Sequence, residues 1–227
     1  QKNALTLATD ALAKSVKPFP GPVHINCPFR EPLEPSDVPF VPFEADNLAE
    51  ISRETDVSEL KKFLGHEKGL IVVGPMETDS STRNQISELS NITGWPVVAD
   101  PASSMRNGPH TKNCVLISSG EHIFRSTWVK EHKPDVIIQM GRMPTSKGYK
   151  LFLNEVGCEN IICADELGFF PDPENVATHK VAVSPNALAE SLTQLAEKKK
   201  QTDWNKSWSN AEIVSSRIVR ELINNSV

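Results

Sequence analysis

Residues 134–148 read PDVIIQMGRMPTSKG, and this stretch decides the fold. Asp135–Met140 is apolar apart from its leading Asp135 and Gln139 and lacks the in–out alternation of a half-exposed strand. Such a run suits a strand covered on both faces. A glycine-started loop follows, then helix-compatible residues 146–156 with Gly157 as their stop. Strand, loop and helix in that order form one βα unit.

Working outward, the unit recurs. Residues 69–74 (GLIVVG), 95–99 (WPVVA), 114–117 (CVLI), 160–164 (NIICA) and 179–183 (HKVAV) read as further strands. Helical patterns occupy 80–93, closed by Gly94, and 121–132. Ser184-Pro185 supplies a cap residue and an N1 proline for a helix bearing Leu188, Leu192 and Leu195. Asp56-Val57-Ser58-Glu59 resembles a capping box opening a helix through Leu64. Six β-rich runs alternating with helices predict an α/β fold: a doubly wound, mostly parallel six-stranded, Rossmann-like sheet.

The flanks differ in character. Leu5, Leu12 and Val16 give residues 4–16 an amphipathic helical period, and Val23–Cys27 reads as a short strand with His24 and Asn26 on one face. Prolines at 28, 32, 35, 39 and 42 block helix and ladder alike. Residues 31–68 hold ten Asp/Glu against four Lys/Arg, a net of −6. We therefore read 28–56 as an extended linker between 1–27 and a central α/β domain over 57–198. Residues 199–227 follow a charged exit, with Trp204, Trp208, Ala211, Ile218 and Leu222 at helical spacing. The tryptophan pair suits packing anchors.

With 227 residues and a net charge of −5, the chain has no cationic excess to displace counterions from nucleic acid. No apolar run approaches the ~20 residues of a membrane span. A start at Gln1 without a secretory signal points to a processed chain or an excised segment of a cytoplasmic protein. The four cysteines form no C-x-x-C pair and read as buried thiols. The six histidines show no H-E-x-x-H spacing, so no metal site is expected here.

Ligands of doubly wound sheets sit beyond the carboxyl ends of the strands. No G-x-G-x-x-G follows any of the strands, which removes the dinucleotide fingerprint. The loop over 141–148 opens a helix, where free N–H groups favour an anion, and it carries Arg142 and Lys147. Ser146 and Gly148 depart from the P-loop pattern around its lysine, which favours a carboxylate over a nucleotide. Spacing alone leaves Arg142 and Lys147 equally readable as solvated cations. Residues 104–157 carry eight Lys/Arg to four Asp/Glu, a net of +4. With Arg106 and Arg142 near strand ends, that reversal allows an anion or regulatory site in a stand-alone domain that binds or senses an acidic metabolite. A third reading is an interaction module using the acidic linker and the tryptophan helix.

Three strings narrow the choice: GPVHINCPFREPL over 21–33, GWPVVADP over 94–101, and PDVIIQMGRMPTSK over 134–147. Together they resemble the SEPHCHC synthases of menaquinone and phylloquinone biosynthesis, the MenD family of thiamine-diphosphate enzymes. The resemblance implies three α/β domains, of which this chain matches the middle. Residues 1–27 correspond to the last helix and strand of the pyrimidine-binding domain, and 199–227 to the connection into the diphosphate-binding domain. It further implies decarboxylation of 2-oxoglutarate on thiamine diphosphate with Mg2+, then addition of the carbanion to isochorismate, by a homodimer or homotetramer. The cofactor-activating glutamate and the metal–diphosphate motif belong to the flanking domains. No catalytic residue and no cofactor are therefore expected on this segment, which should be inactive alone. The family's central domain contributes a lysine from the strand-to-helix loop, often followed by arginine. Lys147 matches the lysine as a substrate contact, whereas Gly148 replaces the arginine, leaving Lys150 as the nearest second cation. A plant origin would imply a plastid.

Overall fold

The computed structural model describes residues 2–16, 21–26, 57–166, 168, 170, 172–199 and 202–225. The chain divides into two units, Gln1–Ser52 and Arg53–Val227. In the first, Lys2–Val16 forms helix α1, slightly longer than the apolar period predicts. Residues 21–26 are exposed and lie in no strand, contrary to the strand expected over 23–27. A strand requires a neighbour for its N–H and C=O groups, and none is present among these described residues. Cys27 and the proline-rich run 28–56 lie outside the described residues.

The second unit holds β1 (Gly69–Val73), β2 (Val97–Ala99), β3 (Leu116–Ile117), β4 (Val136–Met140), β5 (Asn160–Ala164) and β6 (His179–Val181). They form one sheet in the order β3-β2-β1-β4-β5-β6. Every pairing is parallel, with Ile71 opposite Val97 on one side and Ile138 on the other. This is the doubly wound order, with its switch point between β1 and β4.

Both faces are covered, which explains the unbroken apolar strands. Ile71, Val73, Ile138 and Ile162 meet Phe63, Ile86, Leu89, Leu188 and Leu192 on one face. These come from the 3₁₀ helix Val57–Gly65, α2 (Ser80–Thr93) and α6 (Pro185–Leu195). Leu70, Val72, Ile137 and Ile161 point to the other face, against Phe124, Tyr149, Phe152, Trp204 and Trp208. Those belong to α3 (Gly120–Arg125), α5 (Lys147–Glu155) and α7 (Asp203–Asn224). Full burial of each such side chain contributes roughly 1.5–3 kcal/mol.

Three local differences from the sequence reading have physical causes. The helix over 57–64 winds as a 3₁₀ helix, matching burial of Leu60 and Phe63 three residues apart. The run 121–132 breaks into α3 and α4 (Trp128–Glu131), because the N–H and hydroxyl of Ser126 both bond the Ile123 carbonyl and end the first helix. The strand over 179–183 stops at Val181, where the Val183 N–H turns back onto the Val181 carbonyl.

Candidate functional site

Beyond the carboxyl ends of the strands, the loops after β1 and β4 meet. The Gly74 N–H bonds the Met140 carbonyl at 2.9 Å, and the Arg142 N–H bonds the Pro75 carbonyl at 3.1 Å. A Cβ on Gly74 would lie 1.6 Å from the Arg142 carbonyl oxygen, so only glycine permits this approach. Gly141 turns the chain with φ 74°. Backbone thus joins the two loops flanking the switch point where this fold class commonly seats a ligand.

The start of α5 is also occupied. Ser146 caps it by accepting the Tyr149 N–H at 3.2 Å. Glu121, from α3, accepts the Gly148 N–H at 2.7 Å, the Ser146 hydroxyl, and the Nε–H of Arg125. The amide seat predicted for an outside anion therefore holds a carboxylate of the protein itself. Burial would raise the Glu121 pKa, but hydrogen bonds from Ser146, Gly148 and Arg125 outweigh it and hold the carboxyl below its ordinary value.

A second internal anion sits just beyond the end of β3. Glu212 of α7 accepts the N–H groups of Ser118 and Ser119 at 3.1 and 3.0 Å, and both their hydroxyls. Ser216 adds a hydroxyl at 2.9 Å. Burial opposes the charge, yet these donors bring the Glu212 pKa down. Asp100, directly after β2, accepts the Ala102 N–H through Oδ1 and both the N–H and hydroxyl of Thr145 through Oδ2. It ties the loop after β2 to the loop after β4.

Beside Asp100 and Glu121 lies a cleft of about 370 Å³, lined in part by these two and by Arg106, Phe124, Lys147 and Tyr149. The structure brings Arg106 and Lys147 together there, while Arg142 is exposed and outside the lining. The Arg106 Nε–H is bonded to the Ala99 carbonyl at 2.9 Å. Lys147 is exposed at the first residue of α5, and Lys150 pairs with Glu174 at 2.6 Å. The sequence reading missed Glu121 and Asp100, which line the cleft, and Glu212, which holds the loop after β3. Only Asp100 had a local signal, in its position just after a strand.

The groups beneath the cleft are poor nucleophiles. Tyr149 is buried, with its hydroxyl 3.3 Å from Gln139 Oε1, and burial raises its pKa. Gln139 Nε2 lies 3.9 Å from Cys163 Sγ. Burial pushes the Cys163 thiol up to about 12 and the Cys158 thiol to about 11, leaving both protonated near neutrality. Among the described residues no group of three or more His, Cys, Asp or Glu is placed to hold a metal ion. No described helix is long and apolar enough to cross a membrane. Arg106 and Lys147 give the cleft two cationic side chains.

The structure is thus a doubly wound α/β domain in which amides at two strand-end loops already bond carboxylates of the chain, beside an open cleft. The family model described as "Middle domain of thiamine pyrophosphate" matches residues 39–227, and the chain belongs to that family of middle domains of thiamine pyrophosphate enzymes. Within it, the chain is similar to 2-succinyl-5-enolpyruvyl-6-hydroxy-3-cyclohexene-1-carboxylate (SEPHCHC) synthases. It is 32% identical to that of Bacillus cytotoxicus, over 89% of this chain and 36% of the relative. For Halorubrum lacusprofundi the figures are 32%, 88% and 37%, and for Acaryochloris marina 31%, 96% and 40%. The chain thus spans little more than a third of the length of these curated relatives.

Proposed function

We propose that this chain is the central domain of a SEPHCHC synthase and serves there as scaffold and substrate contact. In the full enzyme, 2-oxoglutarate and isochorismate are the substrates, with thiamine diphosphate and Mg2+ supplied through the flanking domains. Residues 1–27 close the pyrimidine-binding domain, 28–56 link it to the central domain over 57–198, and 199–227 lead to the diphosphate-binding domain. The assembly is a homodimer or homotetramer.

The start of α5 does not fit a diphosphate. The α5 amide that would greet one is bonded to Glu121, and a Cβ at Gly148 would already collide with Glu121. The same α3–α5 contact bears on the missing arginine. At position 148 a side chain would meet the Glu121 backbone oxygen at 2.6 Å, so a K-R pair is incompatible with this packing. Substrate recognition then rests on Lys147, with Arg106 as the second cation lining the cleft.

The observation carrying the Lys147 assignment is its position. It is exposed at the first residue of a helix, where the macrodipole disfavours a cation, and it lines the cleft. A substrate carboxylate supplies the compensation that the helix end does not. The test is turnover of 2-oxoglutarate with isochorismate by the full-length polypeptide and by its Lys147→Ala variant. Wild-type turnover with weakened isochorismate use in the variant supports the reading. Equal kinetics removes Lys147 from the site. Saturable binding of a carboxylic acid by the chain without flanking domains would favour the metabolite-binding alternative.

A further inference from the structure

The two halves of α7 have opposite surroundings. Trp204 and Trp208 are 5% and 0% exposed beneath the sheet, whereas Val214, Ile218 and Leu222 are 45%, 48% and 62% exposed. Those three recur every four residues and so form one stripe along the helix. With Ile123 and Trp128 from the neighbouring short helices they line a groove of about 430 Å³. No Lys, Arg, Asp or Glu contributes to its lining. A mainly apolar groove of this kind, interrupted only by the neutral polar residues Ser126, Asn210 and Ser215 and by His122, marks an interaction surface on an otherwise acidic chain.

The occupant follows from what surrounds this domain in its relatives. The family is a middle domain, and the chain spans only 36–40% of the similar synthases, so further polypeptide follows it there. Helix α7 is the last described element and ends at Asn224, two residues beyond the stripe. Polypeptide continuing from it emerges at the end of the groove. An intramolecular partner at that point needs little further ordering to dock. We infer that the groove between α7 and the α3–α4 turn is the seat of the domain that follows in the full-length protein, which lays an apolar helix or strand face along Val214, Ile218 and Leu222. This rests on the central-domain reading above.

The test is thiol labelling of the full-length Ile218→Cys protein, native and in denaturant, read peptide by peptide by mass spectrometry. The conservative size of the change leaves the sheet core untouched. A covered groove predicts labelling slowed at least about tenfold in the native state, at every protein concentration. Labelling near the denatured rate would overturn the inference, since the position is then as open as its 48% exposure implies. Protection that disappears on dilution would assign the groove to a second copy and overturn it equally. As a second readout, Leu222→Glu should expose the segment after α7 to limited proteolysis, and an unchanged digestion pattern counts against the docking. A reading frame with no domain after α7 would instead remove the central-domain reading itself, which separates the two failures.

Discussion

The carboxylate of Glu121 rests on the backbone N–H of Gly148, 2.7 Å away. Through that one bond the start of α5 is satisfied by α3, and the two helices cannot separate or slide without leaving an amide unpaired. Position 148 consequently decides both packing and the charge available to the cleft.

Gly148→Ala sets two effects against each other. Removing a helical glycine ordinarily gains about 0.5–1 kcal/mol. Here the added Cβ meets the Glu121 carbonyl at 2.6 Å and its Oε2 at 2.9 Å, an overpacking cost of about 1–3 kcal/mol. The backbone contact cannot swing aside, so a net loss is expected in urea unfolding. Gly148→Arg should lose more and should not restore a second substrate cation.

Glu212 contributes to the acid limb of stability. Its folded pKa lies below its ordinary value, so its contribution is full above the unfolded carboxyl range near ~4.3. That contribution is lost as pH falls through the folded pKa. Unfolding free energies of wild type and Glu212→Gln should therefore differ by about 1–3 kcal/mol at pH 7 and converge as pH falls below the ordinary carboxyl range. A constant gap across that range would show that the carboxylate charge is not what Ser118 and Ser119 hold.

Lys147→Ala should separate folding from function. Loss of a cation from the helix start leaves stability unchanged or raises it by about 0.3–1 kcal/mol. In the full-length enzyme the same change should weaken isochorismate use by about 10–100-fold, the equivalent of one charge-assisted hydrogen bond of about 1.5–3 kcal/mol. Thermal unfolding and steady-state kinetics on one preparation measure both.

At Gly74 no compensation is available. An added Cβ 1.6 Å from the Arg142 carbonyl must part the loops after β1 and β4. Gly74→Ala should cost about 3 kcal/mol or more, visible as a large drop in the denaturation midpoint.

How far the sequence carried these features depended on range. Val136–Met140 announced a doubly covered strand through its own composition, and the structure buries all five residues. Gly94 and Gly157, read as helix stops, stand at φ 72° and 67°. Ser184 accepts the Ala187 N–H as its cap position predicts. These are local devices whose partners lie within a turn. The bonds from Glu121 to Gly148 and from Glu212 to Ser118 span 27 and 94 residues. An exposed-looking glutamate on a helix carries no mark of which distant amide it will meet. For the same reason the loop over 141–148 was legible as an anion seat but not as one already taken. The break at Ser126 escaped notice because a serine hydroxyl returning to a carbonyl leaves the apolar period of 121–132 intact.

The carboxylates of Glu121 and Glu212 act as competitors tethered to the sites they fill. A dissolved phosphate or carboxylate approaching those amides faces an effective concentration of the resident anion on the order of millimolar or above. Ordinary metabolite anions are thereby turned away from the loops where a Rossmann-like sheet would otherwise collect them. Lys147 bonds neither resident carboxylate through its side chain and stands exposed on the cleft, as the proposed substrate contact requires.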